Sequence, residues 1–407
     1  MPTALHPISS GHGLRPRVML GMAALGFAVN FWAWALLSPL AIRFKTELRL
    51  TAFQQALVVA VPVIVGALGR IPVGALTDRY GGRIMFPIVS LATVVPVLYL
   101  GLVGHTSLAG LLGGGFFLGI GGTAFAIGVP FVNAWFPAER RGFAIGVFGS
   151  GMGGTAISAL TTVKLTKAYG LQAPFLITAA ALVTYAAVAG VVLRDAPDRI
   201  TSTETTVARL RGALTLTITW QASALYSLAF GGYVAFSVYL PTYLKTAYAL
   251  TPTDAANKMA GFVLLAVLMR PVGGWLSDRL HPTSVLAWAF VAVTAGAAVQ
   301  AFTPSLSLLG TAAFLVMAAG LGAGTGAVFA LVAKLAPVDK VGAVTGVVGA
   351  AGGLGGFVPP LLMGTIYGSS GSYALGLVLL AGVAAAALLF TTTAVRHLQG
   401  AGRPQRA

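Results

Sequence analysis

Apolar stretches of membrane-spanning length recur along almost the whole chain. There are twelve, at roughly 17–40, 51–76, 84–104, 107–135, 141–163, 171–193, 213–244, 255–277, 283–302, 305–333, 341–366 and 372–395. A bilayer core needs ~20 residues of apolar helix, so a chain patterned this way folds as an all-α polytopic membrane protein. Several stretches are longer than that minimum, which calls for tilt or extension beyond the hydrocarbon. Composition agrees: of 407 residues, 57% are hydrophobic and 8% charged, with a mean hydropathy of +0.89. Soluble domains carry about 25% charged residues. A soluble globular domain and a disordered chain are both excluded.

The charge balance is strongly basic, 25 Lys and Arg against 9 Asp and Glu. Most of these cations lie in short loops between apolar stretches, which reads as a topology signal and headgroup contact and not as a nucleic-acid surface. With the N-terminus cytoplasmic, sixteen cations fall on that side and seven on the other. Both termini are therefore expected inside, in a plasma or inner membrane. The cluster Arg43, Lys45 and Arg49 runs against the bias. There are no cysteines, so disulfides and thiolate ligands are excluded. His6, His12, His105, His281 and His397 sit in tails or loops with no i, i+4 pair, so neither a metal nor a cofactor is expected. Pro2 to Arg17 is polar and the first apolar run is too long for a signal peptide.

The longest polar connection, 194–212, divides the chain into an N-terminal half, 1–193, and a C-terminal half, 213–407. The halves repeat each other at an offset of 200 residues. RIPVGALTDR at 70–79 matches RPVGGWLSDR at 270–279, pairing Arg70 with Arg270, Asp78 with Asp278 and Arg79 with Arg279. At the same offset GFAIGVFGSGMG, 142–153, matches GAVTGVVGAAGG, 342–353. Two matches at one offset imply a duplication of six spans, and an even number per half makes the repeats parallel about an axis along the membrane normal. Substrate sites in such proteins lie between the halves near the midplane.

Arg70 and Arg270 sit inside apolar runs, where an arginine costs ~2.5–3.5 kcal/mol. Each lies ~12 Å along its helix from the Asp-Arg pair eight residues later, too deep for easy snorkelling. The acidic residues, Glu47, Asp78, Glu139, Asp195, Asp198, Glu204, Asp254, Asp278 and Asp339, all fall in loops or at span ends. Two buried cations without carboxylates would be stabilised by an anion between them, and the guanidinium fork suits a flat oxyanion. The alternative is that each arginine bonds to backbone carbonyls or water. Proton-coupled carriers often use embedded acids; with none evident here, exchange of one anion for another is expected, the alternative being proton symport with a bound anion or water as the proton carrier. The glycine runs, with Gly146, Gly149, Gly151 and Gly153 in span five and Gly346, Gly349, Gly352 and Gly353 in span eleven, let helices approach closely, either as static packing or as sliding contacts. Tyr226 and Phe230 share a helix face, and Phe125 follows the Gly119–Gly122 stretch. These aromatics either wall a site or pack against lipid and neighbours.

The stretch 69–83, Gly-Arg-x-Pro-x-Gly-x-Leu-x-Asp-Arg-x-Gly-Gly-Arg, resembles the loop-2/3 motif of the major facilitator superfamily, with a partial copy at 270–279. GFAIGVFGSGMGGTA at 142–156 and GAVTGVVGAAGGLGGFVPP at 342–360 resemble the two glycine signatures of its nitrate/nitrite porter family. The resemblance covers nearly the whole chain. It implies twelve helices in two pseudo-symmetric halves and transport of nitrate or nitrite held between Arg70 and Arg270. Tyr226 would bond the anion, Phe230 and Phe125 would wall it, and Asp78, Arg79, Arg83, Asp278 and Arg279 would form a cytoplasmic gating motif. The family's first glycine signature carries an anion-contacting Asn in a Gly-Asn-x-Gly context; here that place is Met152, which cannot donate a hydrogen bond. An organic carboxylate carrier is the nearest alternative, and a non-transporting anion sensor a more distant one. No nucleophile–base set or nucleotide loop points to an enzyme. The expected partners are the small anion and membrane lipid, with a monomer as the working unit.

Overall fold

The computed structural model describes residues 14–197, 206–337 and 340–395. Both chain ends, Asp198, Glu204 and Asp339 lie outside the described residues, as do the side chains of Asp78 and Glu139. Twelve helices are long and apolar enough to cross a bilayer. They are α1 (Arg15–Glu47), α2 (Ala52–Thr77), α3 (Gly82–Leu102), α4 (Leu108–Trp135), α5 (Ala144–Tyr169), α6 (Gln172–Val192), α7 (Thr217–Tyr248), α8 (Pro252–Arg279), α9 (Pro282–Ala301), α10 (Leu309–Leu335), α11 (Ala343–Ser370) and α12 (Ala374–Val395).

The number of spans agrees with the sequence, while two boundaries shift for local reasons. Helix α1 runs past the expected end at 40 and carries Arg43 and Lys45 on its last turns. Arg43 Nε donates to Glu47 Oε1 at 2.6 Å, four residues on, so one cation of the cluster that opposed the topology bias is paired. Helix α7 begins at Thr217 and not at 213, because a short helix, Thr206–Leu214, occupies the end of the linker. The corner between them is tied by Thr219 Oγ1 donating to the Ala213 carbonyl at 2.7 Å and Trp220 Nε1 donating to the Leu214 carbonyl at 2.8 Å.

Four of the first six helices are irregular, and α1 is interrupted at 35–36. Helix α2 is broken at Gly69, α4 passes through a 3₁₀ turn at Gly119–Thr123, and α5 through another at Ser150–Gly153. Glycine lowers the cost of such turns, which shift backbone bonding from i−4 to i−3.

Packing follows the repeat. Helix α3 packs on α6 as α9 packs on α12, and the pairs α2–α11 and α5–α8 exchange places under the 200-residue offset. Helix α7 is the most enclosed and α12 the least, with 83% and 17% of their windows buried, so α7 is central and α12 faces lipid. On the side opposite the linker the two sequence halves are joined by hydrogen bonds. Ser38 Oγ donates to the Val238 carbonyl at 2.6 Å, Gln55 Nε2 to Thr242 Oγ1 at 3.0 Å, and Lys167 Nζ to Thr253 Oγ1 at 2.8 Å. At the same level α2 and α11 are in backbone-close contact at Gly364, where an added Cβ would stand 2.5 Å from that of Ala56.

Gly364→Leu is expected to overpack this closure and cost ~1–3 kcal/mol, read as a lower thermal midpoint in detergent. Gly368→Leu, one turn on with Ala52 Cβ at 3.7 Å from an added Cβ, should cost less.

Candidate functional site

Arg70 is the first residue after the break in α2, and Arg270 precedes Pro271 in the middle of α8. Their exposures are 6% and 3%. The two guanidiniums approach the same ring, that of Phe125. Arg70 is held by backbone: Nη1 donates to the Gly349 carbonyl of α11 at 2.6 Å, and Nε to the Gly122 carbonyl in the 3₁₀ turn of α4 at 3.4 Å. Arg270 is held differently. Its Nη1 donates to Met152 Sδ at 2.6 Å, and its Nη2 is buried with no hydrogen-bond partner among the described residues.

Met152 lies in the 3₁₀ turn of α5. Its carbonyl accepts from Thr155 Oγ1 at 3.0 Å and from Tyr233 Oη of α7 at 3.3 Å. These bonds pin α7 to α5 and set the sulfur against Arg270.

Aromatic rings enclose both cations. The Phe125 centroid is 5.2 Å from Arg70 Cζ and 5.6 Å from Arg270 Cζ, so one ring serves both. Phe230 adds a second face to Arg70 at 5.3 Å, and Phe329 a second face to Arg270 at 5.7 Å. Such faces attract cations electrostatically. Tyr226 stacks on Phe230 with centroids 5.0 Å apart and meets Phe329 edge-on at 4.8 Å. Its hydroxyl is buried beside the Arg270 guanidinium.

The structure thus brings together Arg70, Arg270, Tyr226, Phe230, Phe125 and Met152. It adds Phe329, which sequence comparison missed. The 200-residue offset pairs Phe125 with Thr325 and Phe329 with Val129, so the two walls sit one helical turn out of register. The available signal was that Phe329 follows Thr325 by four residues, on the same helix face.

The glycines divide. Gly149 lies against the Arg270 guanidinium, Gly349 against Phe125, and Gly353 against Ala67 and Arg70. Gly352 packs flush on the Tyr226 ring, where a Cβ would overlap it, and Gly151 packs on Phe27 of α1. Gly146 meets Pro271 only loosely, and Gly153 and Gly346 have nothing within 4 Å of an added Cβ. Close helix contact is therefore a property of part of each run.

The motif residues at the linker-side ends of α2 and α8 stay apart from this cluster. Arg79 lies 5.3 Å over Tyr80, Arg279 lies 4.2 Å over Trp275, and the Arg83 backbone N–H donates to Asp195 Oδ1 at 3.2 Å. Asp278 is exposed. Among the described residues Glu47, Asp195, Asp254 and Asp278 lie at helix ends or in the linker, and none pairs with Arg70 or Arg270. The cluster is therefore rich in hydrogen-bond donors and positive charge.

Comparisons with known proteins agree with this architecture. The family model described as Major Facilitator Superfamily matches residues 23–256 and 222–406. The chain is 48% identical over 375 residues to the "Probable nitrate/nitrite transporter NarK2" of Mycobacterium tuberculosis, covering 91% of this chain and 94% of that one. It is 33% identical over 378 residues to the "Nitrite extrusion protein" of Bacillus subtilis, covering 92% and 93%. Among solved structures, a bacterial homologue of the human lysosomal transporter Spinster, inward-facing and occupied, superposes with a TM-score of 0.72 at 18% identity over 95% of this chain and 98% of that one. That likeness concerns the fold.

Removing an unpaired buried charge relieves its desolvation. Arg270→Met is expected to raise the stability of the protein without added anion by about 2 kcal/mol, read as a higher thermal midpoint in anion-free buffer, and to abolish any further rise on adding nitrate. A lower midpoint would mean that the guanidinium is satisfied by the protein alone.

Proposed function

The chain belongs to the major facilitator superfamily, within its nitrate/nitrite porter family, and from that membership we propose that it carries nitrate and nitrite across the membrane by alternating access, with the anion held between Arg70 and Arg270. One observation carries the reading: two guanidiniums from repeat-equivalent positions share the Phe125 ring and have no carboxylate partner among the described residues.

The anion supplies the missing negative charge. Arg70 and the free Nη2 edge of Arg270 offer N–H donors in fixed planes, and the Tyr226 hydroxyl offers a further one. Phe125, Phe230 and Phe329 exclude water, which strengthens each of these interactions. The enclosure is tight, with Gly352 flush on Tyr226, which favours a small flat oxyanion over an organic carboxylate.

The halves 1–193 and 213–407 rock about this point. The close-packed parts of the glycine runs are the sliding contacts, and the charged residues at 78–83 and 278–279 form the gate on the cytoplasmic side, where both termini lie. The working unit is a monomer in a plasma or inner membrane. Exchange follows from the same electrostatics. Without an anion the two cations repel and resist closure of the halves around them, so the carrier returns loaded. Swapping one monovalent anion for another moves no net charge and needs no titrating side chain.

The test is counterflow in proteoliposomes. Labelled nitrate should enter vesicles loaded with nitrite at least tenfold faster than nitrite-free vesicles, whether or not a proton gradient is imposed. Uptake into nitrite-free vesicles driven by the gradient would replace exchange with symport. No uptake under either condition, from protein shown to be folded, would assign the site to another anion. Met152→Asn should tighten nitrate about tenfold or more, since a hydrogen bond to a charged group is worth ~1.5–3 kcal/mol. An unchanged affinity would place the side chain of residue 152 out of reach of the anion.

A further inference from the structure

A cavity of about 280 Å³ lies between α7, α11 and α12, apart from the arginine site. We propose that it holds one acyl chain of a phospholipid from the leaflet opposite the linker.

Its walls are apolar. Leu228, Ala235 and Phe236 come from α7, Met363 from α11, and Leu377 and Leu380 from α12. An apolar cavity of this kind does not recruit water, and its volume is several times the ~30 Å³ of one water molecule. It has room for a length of alkyl chain and not for a charged headgroup. The mouth opens sideways. Leu362, Leu379 and Val383, which also line it, are 48%, 47% and 56% exposed on the outer surface of the bundle. In a chain with twelve apolar spans that surface is covered by hydrocarbon, so the cavity is continuous with the bilayer.

Its depth along the membrane points to one leaflet. On α12 the lining runs over 376–383, the first turns after the loop opposite the linker, and on α11 over 355–363. The α11 stretch is ~12 Å long at 1.5 Å per residue, about the depth of one leaflet's hydrocarbon. Tyrosines close its outer end, where such side chains favour the headgroup boundary. Tyr239 Oη and Tyr373 Oη are 3.4 Å apart, and Tyr367 stacks on Tyr373 at 4.5 Å. The inner end reaches Ser227, whose Oγ bonds the Ala351 carbonyl of α11 at 3.0 Å. Ser227 follows Tyr226, so the chain's methyl end abuts the back of the helix that bears the candidate anion site.

The full chain would be reconstituted in phosphatidylcholine–phosphatidylglycerol vesicles doped with a phospholipid bearing a diazirine near the end of one acyl chain. After irradiation, adducts would be mapped by peptide mass spectrometry. Adducts are expected on the buried Leu228 and on Phe236, partly buried within the cavity, as well as on the exposed α9 residue Trp288. Leu380→Trp fills the cavity from α12 and should cut the Leu228 and Phe236 adducts at least tenfold while leaving Trp288 labelling unchanged. Ala235→Leu fills it from α7 and should do the same if the tryptophan variant does not fold. Adducts confined to exposed residues, or cavity adducts indifferent to both fillings, would overturn the proposal. The readout does not depend on transport, so it stands or falls separately from the anion reading.

Discussion

Two positive charges buried where a bilayer offers no counter-ion are the constraint around which the rest of the protein is arranged. A guanidinium at that depth must find acceptors or become prohibitively expensive. The fold answers with weak acceptors in number. Two main-chain carbonyls serve Arg70 and one thioether serves Arg270, while three phenylalanine faces surround the pair. None of these carries a formal negative charge. The cations are held in place without being neutralised, which leaves the positive potential the proposed anion would use.

That solution explains where the backbone departs from ideal helix. The breaks in α2, α4 and α5 all fall at the level of the arginines. Arg70 takes one acceptor from an irregular turn, the Gly122 carbonyl in the 3₁₀ stretch Gly119–Thr123, and one from a regular helical stretch, the Gly349 carbonyl of α11. The turn over Ser150–Gly153 likewise swings Met152 inward. Local irregularity and the electrostatics of the centre are thus one feature seen at two scales.

The spans, the duplication and the arginine pair were legible in the sequence because each is a local pattern: an apolar run, a matched decapeptide, a charge inside an apolar run. The six residues singled out from the sequence lie close together around the two arginines. Three things were not legible. Phe329 escaped because the two aromatic walls sit one turn out of register, which a residue-by-residue repeat comparison cannot see. The contact of Met152 with Arg270 depends on the 3₁₀ turn, which follows from tertiary packing and not from propensity. The glycine runs looked uniform in sequence, yet only positions such as 151 and 352 touch a neighbour closely, because helix rotation decides which face of a run meets its partner.

The two arginines are cradled by different kinds of atom, and this makes them unequal targets for evolution. Arg70 rests on main-chain oxygens at positions 122 and 349, which a substitution reaches only by moving the backbone, as a Cβ at 122 would, standing 2.9 Å from Gly66 Cα. Arg270 rests on the side chain of residue 152, which a single codon change can replace. If the anion is held as proposed, variation in its binding passes most directly through residue 152, while the other side of the centre changes only when the main chain moves.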